Sequence, residues 1–146
     1  FRLQEGKSLY DGFMKNAKTI AELLDSVDPY EAERITEIRQ RIEEGLSKYV
    51  DIEYDRSRLE QEMIYYIEKL DVNEEKNRLR NHIKYFIETL DHEEVGQGRK
   101  LGFIAQEMGR EINTLGSKSN HATLQKIVVK MKDELEQIKE QVLNVL

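Results

Sequence analysis

The chain has 146 residues, 36% of them charged and 38% hydrophobic, with net charge −6, a single proline and no cysteine or tryptophan. That size suits one domain, or one with a helical extension, and the composition is that of a charge-rich helical protein. Disulfide staples and thiolate zinc sites are excluded, and a reducing, cytoplasmic setting is the expectation. No apolar run approaches the ~20 residues of a membrane span, no signal-peptide pattern is present, and an acidic balance argues against a generic nucleic-acid binder. Phe1 already lies inside a helical pattern, which predicts the C-terminal part of a longer protein.

Helical periodicity dominates from the start. Leu9, Phe13, Ala17, Ile20, Leu24 and Val27 form a stripe at three-four spacing for a first helix. Asp28-Pro29-Tyr30-Glu31 reads as the start of a second, with Asp28 as N-cap, proline at the first helical position and Glu31 at N3. Ile35, Ile38, Ile42, Leu46 and Tyr49 carry that helix to about Val50. Asp51 or Asp55 can cap a third helix, with Leu59, Met63, Tyr66, Ile67 and Leu70. Asp71-Val72-Asn73-Glu74 reads as a further capping box, opening a fourth helix striped by Leu79, Ile83, Phe86 and Leu90. Asp91 to Gln97 is the irregular stretch.

The fifth predicted helix is the most informative. Its apolar residues Leu101, Ile104, Met108, Ile112 and Leu115 make one stripe, and the opposite face collects Arg99, Gln106, Arg110 and Asn113. Glu107 and Thr114 stand at the edge of that face, and Phe103 sits on it, a large ring directed to water. Guanidinium groups, amides and a carboxylate make directional hydrogen bonds, which suggests a working surface. Residues 96–132 hold seven basic groups, Arg99, Lys100, Arg110, Lys118, Lys126, Lys130 and Lys132, against Glu107 and Glu111. Gly102 and Gly109 share one side, where close helix packing or close approach of a ligand backbone would explain them. Gly116 reads as a left-handed C-terminal stop. A short turn then leads to a last helix from His121, striped by Leu124, Ile127, Met131, Leu135, Ile138, Val142 and Val145. The first and last stripes are long enough to require partners, and a homo-oligomer is expected.

Several groups are candidates for chemistry. Glu107 and Glu111 are one turn apart and repel unless Lys100, Arg110 or a divalent cation lies between them; magnesium or manganese suits carboxylate oxygens. His82 lies at the edge of the Leu79–Phe86 stripe, as either a core-edge histidine or a catalytic or ligating one. His92 reads as solvated, and His121 as a helix cap or a phosphate contact. The Thr114–Asn120 turn offers hydroxyls, an amide and Lys118, which are equally parts of a phosphate site and of a well-capped turn. No zinc motif, nucleotide-binding glycine loop or serine-histidine-acid order is present.

The segment Gln106 to Ser119, QEM-x-RE-x-NTL-x-SKS, resembles the signature of the YicC/YloC family of bacterial proteins. Arg58-Leu59-Glu60-Gln61-Glu62, Asp71-Val72-Asn73-Glu74-Glu75, Arg78-Leu79, His82 and Gln4-Glu5-Gly6 extend the resemblance over nearly the whole chain. Gly102 and Gly109 depart from it, where the commonest pattern has Asp and Asn. The resemblance implies an endoribonuclease that cleaves RNA phosphodiester bonds with a divalent metal, manganese or magnesium, and a homo-oligomer such as a trimer or hexamer. It also implies an N-terminal domain preceding this part. His82 falls where the family pattern has its histidine, so the resemblance favours a functional role there. His82, Glu107 and Glu111 would then bind metal or move protons with Arg110, while Arg99, Lys100, Gln106, Asn113 and Lys118 hold RNA.

The expected fold is all-α, long antiparallel helices in a bundle with an extended helical arm. A helical arm or hairpin is expected over 1–50, and a helical domain carrying the signature helix over 51–146. The competing reading is a non-catalytic oligomerisation or adaptor module of a stress-related protein, in which the Gln106, Arg110 and Asn113 face is covered by another subunit.

Overall fold

A computed structural model of the chain describes residues 3–49, 56–92 and 97–145. Six helices follow one another: α1 (Leu3–Asp25), α2 (Asp28–Tyr49), α3 (Arg56–Leu70), α4 (Asn73–Leu90), α5 (Gln97–Lys118) and α6 (Ala122–Leu143). The fold is all-α, as the periodicity predicts. Helices α1, α4, α5 and α6 close a ring in which each packs on two neighbours. Tyr10 of α1 donates to Asp91 just beyond α4 (2.6 Å), while Arg80 of α4 meets Asp25 at the other end of α1 (3.4 Å), so these helices are antiparallel.

One core fills the ring. Phe13, Ala17, Ile20, Leu24 and Val27 are fully buried, together with Leu79, Phe86, Leu101, Met108, Ile112, Leu115, Leu124, Met131 and Ile138. Phe13 and Phe86 meet edge to face at 5.9 Å, the arrangement that the ring quadrupoles favour. Asn16, 6% exposed, is satisfied across the α1–α6 seam by Glu134 (2.6 Å) and Gln137 (3.0 Å). By packing, therefore, α1 belongs to the bundle. Helices α2 and α3 pack mainly on each other and form the arm, and α2 also touches α6. A boundary near residue 50 lies outside the described residues.

The α2 and α3 stripes are less covered than the α1 stripe. Ile35 is 37% exposed, and Ile38 and Ile42 are half-buried. Leu59 and Met63 of α3 are buried, whereas Ile64, Tyr65, Tyr66 and Ile67 are exposed. Two helices cannot bury more than one side of each other, and the bundle does not reach the rest.

Two helix starts differ from expectation because the carboxylates are used elsewhere. Asp28 is already in the first turn of α2, and its carboxylate pairs with Lys76 of α4. That hydrogen bond holds the Asp28 carboxyl below the usual carboxylate range. Val72, not Asp71, is the α4 cap; Asp71 accepts from the Asn73 N–H (3.0 Å) one step outside, and Glu74 pairs forward with Arg78.

The glycines of α5 face α6. A Cβ on Gly102 would meet Val142 Cγ1 at 3.2 Å, one on Gly109 would meet Leu135 Cδ2 at 3.2 Å, and one on Gly116 would meet Val128 Cγ1 at 3.0 Å. Spaced seven apart, they form a seam for close helix packing, the first of the two explanations open from sequence. Gly116 does not stop the helix with a left-handed turn: its φ is not positive and α5 runs on to Lys118. We expect Gly116→Leu to destabilise the protein by ~1–3 kcal/mol through overpacking, read as a lower urea midpoint. A midpoint equal to wild type would show that the seam is looser than described.

Candidate functional site

The outer face of α5 is exposed as the sequence predicts. Arg99, Lys100, Gln106, Arg110 and Asn113 all lie on the surface, and Phe103 is 68% exposed. Among the described residues no other helix covers this face, since α5 packs on α4 and α6 through its apolar stripe and its glycines. Arg110 and Glu107, one turn apart, stand 3.6 Å from each other, with Glu107 half-buried. Glu111, by contrast, is buried at 8% exposure. The pair of carboxylates thus has one member at the surface and one turned inward. Grooves of about 330 and 370 Å³ run along α1, one with Asn16 and Gln137, the other with Arg80 and Lys84, away from the α5 face.

The α4–α5 pairing fixes where His82 stands. Gln97 donates to the Thr89 carbonyl (2.6 Å), and the Lys100 ammonium lies 5.4 Å from the centre of the Tyr85 ring. Glu75, toward the start of α4, meets Lys118 at the end of α5 (2.7 Å), so His82 stands between two points at which α4 contacts α5. His82 is half-buried, so it flanks the exposed face of the neighbouring helix. Among the described residues His82, Glu107 and Glu111 do not form a set of ligand atoms within 4.8 Å of one another.

The polar chemistry of the Thr114–Asn120 turn is largely spent inside the chain. Thr114 Oγ1 donates to the Arg110 carbonyl (3.0 Å) and Ser117 Oγ to the Thr114 carbonyl (3.0 Å). Gln125 Nε2 donates to the carbonyls of Gly116 (2.7 Å) and Ser119 (2.6 Å). Lys118 donates to Glu75 Oε1 (2.7 Å) and the Asp71 carbonyl (3.3 Å). Its ammonium therefore neutralises a buried carboxylate first, and would reach a phosphate only by sharing that bond.

Sequence reasoning missed Arg34, which holds this junction together. It is 3% exposed and donates to the last carbonyls of two helices, Lys118 of α5 (2.6 Å) and Leu70 of α3 (2.6 Å), and to Glu31 Oε2 (3.1 Å). A fixed guanidinium is suited to this, since its fork meets two acceptors and its charge opposes two helix-dipole ends. Arg34 Nε, Glu31 Oε1, Glu75 Oε2 and Ser119 Oγ are buried there without a partner. Burial pushes the Glu31 carboxyl above its ordinary value, against the pull of Arg34 and Lys76. The signal was in the sequence: Arg34 occupies a stripe position between Tyr30 and Ile38, where an apolar residue belongs.

A second cluster joins Glu33, Glu37 and His121, whose ligand atoms lie within 4.8 Å of one another. The His121 side chain is 7% exposed; its Nδ1 accepts from the Leu124 N–H (3.3 Å), and its Nε2 stands 3.5 Å from Glu33 Oε2. An Nδ1 lone pair used as acceptor leaves the neutral ring with its proton on Nε2. The ring then caps α6 with its Nε2 facing Glu33. A cation on Nε2 would require that cap to be given up, so this set does not fit a metal as it stands.

Residues 27–146 match the family described as "Endoribonuclease YicC-like, C-terminal". The chain is 32% identical over 146 residues to "Probable endoribonuclease YicC" of Clostridioides difficile (strain 630), covering 99% of this chain and 50% of that protein. It is 36% identical over 145 residues to the protein of the same description from Haemophilus influenzae (strain ATCC 51907 / DSM 11121 / KW20 / Rd), covering 98% and 49%. The chain thus spans about half the length of the curated relatives it matches. With 120 consecutive residues matched, the chain belongs to the YicC-like endoribonuclease family, over its C-terminal part.

Proposed function

We propose that this helical unit is the RNA-handling part of an endoribonuclease, and that RNA lies along the exposed face of α5. The observation that supports this most is the unburied row of Arg99, Gln106, Arg110 and Asn113 beside Phe103, opposite a filled apolar stripe. Arg99, Lys100 and Arg110 meet phosphates; Gln106 and Asn113 offer amides; Lys118 adds charge at the far end. His82, on the neighbouring helix, is the group suited to proton transfer at the scissile bond. A divalent ion, manganese or magnesium, belongs to this proposal as the charge that stabilises the reacting phosphate when bound. Glu107, at the surface, would give a hard cation one carboxylate, with water and substrate phosphate completing its shell, while Glu111 is buried. They do not make a closed cage with His82.

The exposed apolar residues Ile64, Tyr65, Tyr66 and Ile67 around α3 support a homo-oligomer, with a second copy covering part of them. Sedimentation at tens of micromolar protein should give an assembly larger than a dimer, and a clean monomer would refute this part of the proposal.

The RNA reading is tested by the salt dependence of binding. Affinity for short labelled RNAs should fall steeply with salt, and the joint change Arg99→Ala and Arg110→Ala should weaken every RNA. Each lost phosphate contact should lower the slope of log affinity against log salt by ~0.7 for single strands. A slope unchanged by both substitutions would place the RNA elsewhere.

A further inference from the structure

We propose that Phe103 of α5 and Tyr85 of α4 form a stacking platform that selects unpaired RNA segments at the α5 face. This inference rests on the RNA reading above and specifies its substrate class.

Phe103 is the most exposed ring of the bundle at 68%, and Tyr85 is 43% exposed on the adjacent helix. Neither ring serves the core, whose aromatic positions on α1 and α4 are filled by Phe13 and Phe86. Lys100 of α5 reaches the Tyr85 ring of α4, and Phe103 follows Lys100 by one turn of α5, so the two exposed rings stand on adjacent helices within one turn of a shared contact. The Lys100 ammonium, 5.4 Å from the Tyr85 ring centre, sets a positive charge beside that ring. Gln106 and Arg110 follow Phe103 on the exposed side within two turns.

Rings flanked by cations and amides match a base-plus-phosphate ligand. A base offers a π-face and a hydrogen-bonding edge, and stacking on an aromatic side chain is worth ~1–3 kcal/mol per base. In an A-form duplex those faces are hidden in the stack, and only the shallow groove, 2′-hydroxyls and phosphates are accessible. Exposed rings therefore favour segments whose bases are unpaired. A second copy of this chain is the other possible cover for the rings, but the charge beside them is that of a phosphate partner, with Arg99, Lys100 and Arg110 all on this face.

The experiment measures anisotropy of three labelled probes on the full-length protein: a short oligoadenylate, the same strand with abasic positions, and a blunt RNA duplex of equal length. Phe103→Ala should weaken oligoadenylate binding by about tenfold, the equivalent of one stacked base, and Phe103→Trp should restore it. Duplex and abasic affinities should be the same in wild type and Phe103→Ala. Equal weakening of duplex and oligoadenylate, or no weakening of either, overturns the platform. Loss of self-association with unchanged RNA binding also overturns it, because the ring would then cover a second copy. The joint change of Arg99 and Arg110 to alanine separates the two layers. If it weakens all three probes while Phe103→Ala is silent, only the platform falls. If it is silent as well, the RNA reading of this face falls too.

Discussion

Replacing Arg34 by methionine should destabilise the protein by ~3–5 kcal/mol at neutral pH, the range found when one partner of a buried charge pair is removed. The cause is not lost packing, since methionine nearly fills the same volume. It is that Glu31, Lys118 and Leu70 lose their common donor, leaving one buried carboxylate and two helix-terminal carbonyls without compensation. The deficit should shrink as pH falls. Burial already raises the Glu31 carboxyl above its unfolded value, and removing Arg34 takes away an influence that lowers it. A carboxyl with a raised folded pKa destabilises the fold while ionised, above that pKa, and the cost is relieved as it protonates. Urea midpoints of wild type and Arg34→Met, followed from neutral pH downward, test this. The joint change Arg34→Met and Glu31→Gln should recover part of the loss at neutral pH. A deficit that is constant with pH would mean that Glu31 is not the stranded charge.

The second large effect concerns chemistry. His82→Ala should reduce RNA cleavage by ~10²-fold or more, as expected for loss of a proton-transfer group. RNA affinity should stay within about twofold, because His82 flanks the phosphate-binding face without belonging to it. Glu107→Gln should show the same split, since an amide is a poor ligand for a hard cation, and chelator should abolish wild-type cleavage while sparing binding. Excess manganese should restore part of the Glu107→Gln activity if the carboxylate holds a metal. Cleavage assays and anisotropy on the same full-length preparations decide it. Full cleavage by both variants would remove these residues from the reaction and favour an adaptor role for the helical unit.

The helices of this fold were legible from sequence because their stripes are regular and their interiors almost free of proline. The stripe of α1 is fully buried where periodicity placed it, from Phe13 to Val27. The exposed polar face of α5 was legible for the complementary reason, that Arg99, Gln106, Arg110 and Asn113 stand opposite its apolar stripe. What could not be read was which partner each stripe would find. The apolar residues of α2 and α3 have the same spacing as those of α1, yet they stay half open because the bundle closes without them. Caps were misread where a carboxylate had a stronger use at a distance. Asp28 is bound by Lys76, 48 residues away, which a local pattern does not contain, whereas Glu74 pairs one turn ahead with Arg78. Lys118 reads equally as part of a phosphate site and of a well-capped turn, and its tie to Glu75, a partner 43 residues away, is not in the local pattern.

The thin attachment of the α2–α3 hairpin has a consequence for how the molecule opens. Cooperative units in a folded chain are set by where buried apolar contact is continuous. Here that contact is continuous around α1, α4, α5 and α6 and is interrupted before the outer parts of α2 and α3. The amide hydrogens of the hairpin should therefore exchange with deuterium through a low-energy local opening that leaves the ring intact. Those of α5 and α6 should exchange only at the free energy of global unfolding. The protein would be lost in two steps, hairpin before ring.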